Sequence, residues 1–227
     1  MAQDVAIVTG CSSGLGQALT GRLTAAGIRV VGVARRPSDD LPAFTGDTNA
    51  YVRGNVAEPE TVDRAFAAAR DLGDLSMVIS CAGAGVFGKP GAYSRDDIDT
   101  VFAGNLTGLI LVADRAFADF SQRGSGTIVN VMSTAAHAAR PLETVYTAAK
   151  WGARGYTDAL RAAAKGTKIR VIGVYPGGMR TPFWSTARGT DADGAGFSEP
   201  DDIAAAIVDA LQDRRTAYVT DLLLNRI

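Results

Sequence analysis

At 227 residues, 47% of them apolar and 21% charged, the chain is long enough to bury a substantial core and falls within the range of one α/β domain. Its formal charge of −1 leaves no basic excess, so neither nucleic acid nor an anionic membrane is expected as a partner, and two cysteines are too few for a disulfide framework. The N-terminus lacks the basic segment and apolar stretch of a signal peptide, no apolar run is read as long enough to span a bilayer, no metal site is expected, and a cytoplasmic setting is the expectation.

Short β-branched runs at residues 5–9, 28–33, 75–80, 127–132, 169–174 and 217–220, with a weaker one near Tyr51, read as strands. Ala-rich stretches over 14–26, 59–71, 95–122, 145–164 and 200–212 read as helices, the long third one being a candidate for a break. Continuous apolar strands alternating with helices imply an α/β fold with a doubly wound parallel sheet, a single domain over residues 1–227. Ser94 ahead of Asp97, and Ser198-Glu199-Pro200-Asp201-Asp202, supply capping oxygens and negative charge where helices should start. The segment 182–198 is Gly-rich and polar and reads as a substrate loop.

Gly10-Cys11-Ser12-Ser13-Gly14-Leu15-Gly16 joins the first strand to the first helix. Glycines permit a tight turn and close backbone approach, and the helix N-terminus offers free N–H groups to a pyrophosphate. The same residues fit the Gly-x-Ser-x-Gly elbow of a hydrolase with Ser12 as nucleophile, but only residues 1–9 precede the turn, where an elbow normally follows several strands. About twenty residues further on, where an NAD-preferring fold places an acid, stands Ala34-Arg35-Arg36. A guanidinium matches a 2′-phosphate with paired, charge-assisted hydrogen bonds, so NADP(H) is favoured over NAD(H).

Tyr146 and Lys150 stand four apart in an Ala-rich run, and in a helix they leave the same face one turn apart. A tyrosine needs a nearby cation to serve as proton donor or acceptor near neutral pH. The ordered set formed by the glycine turn, Ser80-Cys81-Ala82-Gly83, Asn105, Ser133 and Tyr146-x-x-x-Lys150 resembles the short-chain dehydrogenase/reductase family, in its compact branch. The resemblance spans Val5 to about Thr181 and implies a Rossmann-like fold and hydride transfer between a nicotinamide and a carbonyl or alcohol. It implies Tyr146 as general acid and base, Lys150 as its pKa-lowering partner and a ribose ligand, Ser133 as the hydroxyl that polarises the substrate oxygen, and Asn105 as the holder of a water in the proton path. Asn55 and Val56 would lie near the adenine, Cys81, Ala82 and Gly83 along the cofactor, and the Pro176-Gly177-Gly178-Met179 turn with Thr181 beside the carboxamide and diphosphate.

Two positions depart from the family: Asn55 replaces the usual Asp, and Ser80-Cys81 replaces an Asn pair, removing an amide that braces the sheet. Cys11 and Cys81 read as small buried side chains. Val86, Phe87, His137, Phe183 and Trp184, with Arg180 and Arg188 nearby, suggest an aromatic-lined substrate pocket, in which His137 either orients the substrate or sits at the rim. The apolar faces around 105–120 and 146–164 imply a homodimer or homotetramer, with little tetramer contact expected from the short segment after Thr220. The expected activity is an NADP(H)-dependent reductase or dehydrogenase acting on a small carbonyl or secondary alcohol. A nucleotide-sensing protein without catalysis is the alternative, and the intact Ser133, Tyr146 and Lys150 speak against it.

Overall fold

A computed structural model describes residues 3–187, 196–212 and 216–225. Seven parallel strands form one sheet in the order β3-β2-β1-β4-β5-β6-β7. They are β1 Asp4–Thr9, β2 Arg29–Ala34, β3 Ala50–Arg53, β4 Asp74–Ser80, β5 Ser125–Val131, β6 Lys168–Pro176 and β7 Asp221–Leu224. The helices between them are α1 Gly14–Ala25, α2 Pro59–Leu72, α3 Arg95–Phe102, α4 Gly108–Arg123, α5 Thr144–Ala163, the short α6 Phe183–Thr186 and α7 Pro200–Leu211.

Alternation along each strand divides the core into two layers. Val5 and Ile7 of β1 face Val62 and Phe66 of α2, Val112 and Phe120 of α4 and Leu160 of α5. Ala6 and Val8 face Leu15, Leu19 and Leu23 of α1 together with Ile203 and Ile207 of α7. Because helices cover both faces, the strands need apolar residues at consecutive positions, which is the pattern of the β-branched runs. The predicted doubly wound sheet is therefore the observed one.

The chain winds outward from β1 to β3, then crosses back to β4 and winds the other way. The reversal opens a crevice beyond the carboxyl ends of β1 and β4, the usual ligand position in such a sheet. Thr9 ends β1 there. Its Oγ1 accepts from the Cys81 N–H at 3.0 Å and the Ala82 N–H at 3.1 Å, tying the two loops at the crevice floor.

Two elements differ from expectation. The last strand lies at 221–224 rather than 217–220. Leu222 and Leu224 pack on the α1/α7 layer, and Asp221 accepts from the Tyr175 hydroxyl at 3.1 Å and from Arg161 Nη2 at 3.0 Å, so burial and a carboxylate pin the later register. The long third helix is interrupted as anticipated, by a π-helical turn over Ala103–Thr107. Contrary to the expectation about apolar runs, the continuous helical stretch Arg95–Arg123 is long and apolar enough to cross a membrane by length and composition. Val101, Leu109, Val112, Ala113, Ala116 and Phe120 of this stretch are buried within the fold, which accounts for its apolar character.

Candidate active site

The crevice floor is the glycine turn. Gly10 has φ 70°, and a methyl group there would stand 2.8 Å from the Ala82 Cα, so the backbone requires glycine. Gly14 has φ 51°, and a methyl there would meet Thr181 Cγ2 at 2.9 Å, which brings the expected diphosphate-binding threonine directly against the turn. Ser13 precedes α1 in an extended conformation without a side-chain cap, leaving the first N–H groups of the helix for another acceptor. Arg36 reaches back across the crevice: its Nη2 donates to the Ser12 carbonyl at 2.8 Å and to Ser12 Oγ at 3.1 Å, and its Nε to Ser12 Oγ at 3.2 Å. Arg35 lines the same cavity. Asn55 Oδ1 accepts the Ala57 N–H at 3.1 Å, and Val56 is buried behind it.

The hydrolase reading finds no support here. Ser12 is paired with Arg36, whereas His137 contacts Arg154 through Nδ1 at 3.1 Å and packs its ring 4.4 Å from that of Tyr175. No Ser12–His137 couple exists.

Ser133 sits just past β5, capping a short 3-10 turn over Thr134–Ala136 with its Oγ, which accepts the Ala135 N–H at 3.1 Å. Its side chain also acts on the phenol of Tyr146, on the first turn of α5, and lowers it. One turn later Lys150, 4% exposed, donates from Nζ to the Val131 carbonyl at 3.3 Å and stands 5.6 Å from the centre of the Tyr146 ring. Burial lowers Lys150 to about 8. Burial pushes the Tyr146 phenol well above its usual value, with Ser133 and Arg140 as the groups that pull it down and Glu143 adding to the rise.

The π-helical turn explains Asn105. An extra residue in that turn carries its side chain inward, where Nδ2 donates to the Ala84 carbonyl at 2.7 Å and the Val101 carbonyl at 2.8 Å. Its Oδ1 is buried without a partner. A methyl on Gly83 would lie 2.7 Å from that oxygen and 4.0 Å from Lys150 Nζ, so Gly83 keeps open the space into which both groups project.

Pro176 at the end of β6, with Gly177 and Met179 just past it, lines the cavity together with Thr181. The backbone at Arg180 pairs with Ser198, since the Arg180 N–H donates to the Ser198 carbonyl at 2.9 Å and the Ser198 N–H to the Gly178 carbonyl at 3.1 Å. The predicted substrate loop is thus anchored at both described ends; Arg188 lies outside the described residues. Phe87, Phe183 and Trp184 gather over Tyr146: Phe87 and Phe183 lie 5.6 and 6.1 Å from its ring, and Trp184 stacks on Phe87 at 6.0 Å. The Trp184 indole N–H donates to the Met179 carbonyl at 2.9 Å.

The whole forms one cavity of about 650 Å³ running from Arg35 and Arg36 to Trp184. His137 is not part of its wall, because the 3-10 turn after Ser133 directs it toward Arg154 and Tyr175. Val86 is likewise buried against Val101 and Ala149 instead of lining the cavity. Arg180 pairs with Glu199 at 3.1 Å and also stays out of it. Among the lining residues that the sequence reading passed over are Arg140 and Glu143. Both fall in the segment between Ser133 and Tyr146, where no motif marks them. Cys11 and Cys81 are free thiols, each pushed up by burial to about 12; Cys11 is buried as expected of a packing residue, whereas Cys81 is half-buried and lines the cavity.

The family model described as short chain dehydrogenase matches residues 4–192. The chain belongs to the short-chain dehydrogenase family. An uncharacterized oxidoreductase of Staphylococcus aureus is 28% identical over 227 residues, covering 98% of this chain and 96% of the relative. Among solved structures, a short-chain dehydrogenase/reductase from Vibrio parahaemolyticus is 31% identical with a TM-score of 0.85, over 98% of this chain and 96% of that one. The closed form of a serine dehydrogenase complexed with NADP+ superimposes with a TM-score of 0.86 at 24% identity, over 97% of this chain and 94% of that one, and shares the fold. This short-chain dehydrogenase is accordingly an oxidoreductase on a Rossmann-like sheet.

Proposed function

We propose that this oxidoreductase transfers a hydride between NADP(H) and a small carbonyl compound or secondary alcohol, with Tyr146 as the general acid and base. The observation that carries the reading is the Tyr146 phenol, sharing a cavity wall with Ser133 and Lys150, roofed by Phe87 and Phe183, and opening into the same cavity as the glycine turn. That cavity, about 650 Å³, is of a size that holds a small-molecule ligand.

The residues present fit a dinucleotide. Close-packed Gly10, Gly14 and Gly16, with the uncapped start of α1, form a cradle for a diphosphate, beside Thr181. Leu15 packs into the core beneath that cradle. Cys81, Ala82 and Gly83 would follow the ribose side, Asn55 and Val56 the adenine, and Pro176, Gly177 and Met179 the carboxamide. Arg36, already turned into the crevice, would exchange its hold on the Ser12 side chain for a 2′-phosphate, with Arg35 alongside. When bound, the nicotinamide supplies or accepts the hydride.

In the reducing direction Ser133 donates a hydrogen bond to the carbonyl oxygen, whose charge grows as hydride arrives at carbon. The O–H bond of Tyr146 then breaks and its proton passes to that oxygen, giving the alcohol and leaving a phenolate. Lys150, whose Nζ stands 5.6 Å from the centre of the Tyr146 ring, would return a proton to the phenolate, and burial eases its release by holding the ammonium at about 8. A water between Lys150 Nζ and the unpartnered Asn105 Oδ1 would link the site to solvent. Oxidation runs the same steps backward.

Tyr146→Phe tests the mechanism: NADPH-dependent reduction of a carbonyl panel should vanish while NADPH binding, followed by fluorescence, changes little. Undiminished turnover would overturn it. Arg36→Ala tests the cofactor: NADPH affinity should fall by about tenfold or more, the weight of a charge-assisted contact, with NADH affinity little altered. Tighter NADH than NADPH binding in the unaltered protein would refute the preference. Assembly as a homodimer or homotetramer belongs to the same proposal, and size-exclusion chromatography with light scattering tests it.

A further inference from the structure

Aromatic rings roof the cavity around Tyr146, and an ion pair stands beside them. Arg140 and Glu143, on the loop that leads from Ser133 into α5, both line it, with Arg140 Nη1 3.2 Å from Glu143 Oε1. The loop is held firmly. The Glu143 N–H donates to the Arg140 carbonyl at 3.1 Å, the Gly88 N–H to the Leu142 carbonyl at 2.9 Å, and the Tyr93 hydroxyl to that same carbonyl at 3.1 Å.

The two side chains are not equivalent. Glu143 is 14% exposed and Arg140 56%, so the carboxylate is the buried anchor and the guanidinium the part left to solvent and cavity. Only Nη1 engages Glu143, and among the described residues the Arg140 guanidinium makes no other hydrogen bond. Its Nε/Nη2 edge is therefore available, and that edge is the one that meets a carboxylate with two parallel hydrogen bonds. Both charges reach the reacting centre: Glu143 raises the Tyr146 phenol and Arg140 lowers it. The other cations on the cavity wall are committed elsewhere, Arg36 to Ser12 and Lys150 to Val131, with Arg35 at the far end of β2.

We infer that Arg140 is the anchor for a substrate carboxylate, so that the compound reduced at Tyr146 is an oxo acid and the compound oxidised is the corresponding hydroxy acid. This rests on the hydride-transfer reading above. A carboxylate suits the place better than a phosphate, because Glu143 repels a second negative charge and the roofing rings of Phe87, Phe183 and Trp184 offer no further cation. Glu143 positions the guanidinium and does not itself touch substrate.

The test compares a panel of short and medium-chain oxo acids with their methyl esters, using NADPH and the intact protein. For at least one acid, kcat/KM should exceed that of its ester by about tenfold or more. Arg140→Gln should collapse that ratio by about tenfold, and Arg140→Lys should restore part of it. Glu143→Gln keeps an acceptor for Arg140 while removing a repelling charge, so it should hold or raise the ratio. Were the pair merely a structural ion pair, both glutamine variants would lower acid and ester rates alike, and that result overturns the proposal. So does a panel in which every ester equals or outruns its acid. If nothing in the panel is reduced, the hydride-transfer reading fails by itself, and binding decides this one. Trp184 fluorescence of the NADP+-loaded protein should respond to aliphatic carboxylates but not to their amides, and the response should be lost in Arg140→Gln; equal responses to both overturn the assignment.

Discussion

Lys150→Met should make the protein more stable while removing its activity. Lys150 is 4% exposed and its pKa falls from 10.5 to about 8, burial being the cause. That difference corresponds to about 3 kcal/mol of folding free energy spent on keeping the ammonium charged inside the fold. Methionine fills a similar volume without the charge, and it gives up the hydrogen bond to the Val131 carbonyl, worth about 1 kcal/mol. The net gain is about 2 kcal/mol at pH 7, or roughly 4–8 °C in melting temperature for a chain of this size. The pH dependence identifies the cause. Below about 8 the folded and unfolded chains both hold the Lys150 proton, and the penalty is complete. Between about 8 and 10.5 the folded chain releases it first, the unfolded chain binds more protons, and the stability of the unaltered protein rises with pH. Above 10.5 neither holds it and the penalty is gone. Urea unfolding of both proteins at pH 7 and at several points up to pH 10.5 should show the advantage of the variant shrinking to nothing or reversing. A variant less stable at pH 7, or an advantage that does not change with pH, would refute the reasoning.

Thr9→Val leaves the Cys81 and Ala82 N–H groups without their acceptor at the crevice floor, and should cost about 2–4 kcal/mol in urea unfolding together with weaker NADPH binding. A cost below about 0.5 kcal/mol would mean that both amides find other partners. Cys11 and Cys81, pushed up to about 12 by burial, should resist iodoacetamide at pH 8 in the folded protein and react once it is unfolded, as mass spectrometry would read directly. Rapid labelling of either in the native state would contradict the burial.

The sheet was legible because a strand covered on both faces must be apolar at every position, and six such runs separated by helical stretches leave few topologies. The glycine turn was legible for a related reason: Gly10 and Gly14 hold positive φ, which other side chains rarely adopt, and Gly16 has backbone where a side chain would stand. The last strand was misread by four residues, since the run 217–220 resembles a strand locally while Asp221 finds its partners, Tyr175 and Arg161, only in three dimensions. His137 reads in the sequence as orienting the substrate or sitting at the pocket rim, but a single turn of 3-10 helix directs it to Arg154 instead.

By itself the sequence determined the layered α/β architecture, the turn that opens toward a dinucleotide, and the order of Asn105, Ser133, Tyr146 and Lys150 along the chain. These follow from local rules: side-chain periodicity, glycine dihedrals and the one-turn spacing of a helix. Only the tertiary structure decided that Asn105 turns inward on a π-helical turn, that Arg36 closes on Ser12, and that Arg140 and Glu143 share the cavity with Tyr146. It also decided that burial is the largest influence on the Tyr146 phenol. Electrostatics and desolvation depend on every neighbour packed around a group, and those neighbours come from strands and helices far apart in the chain.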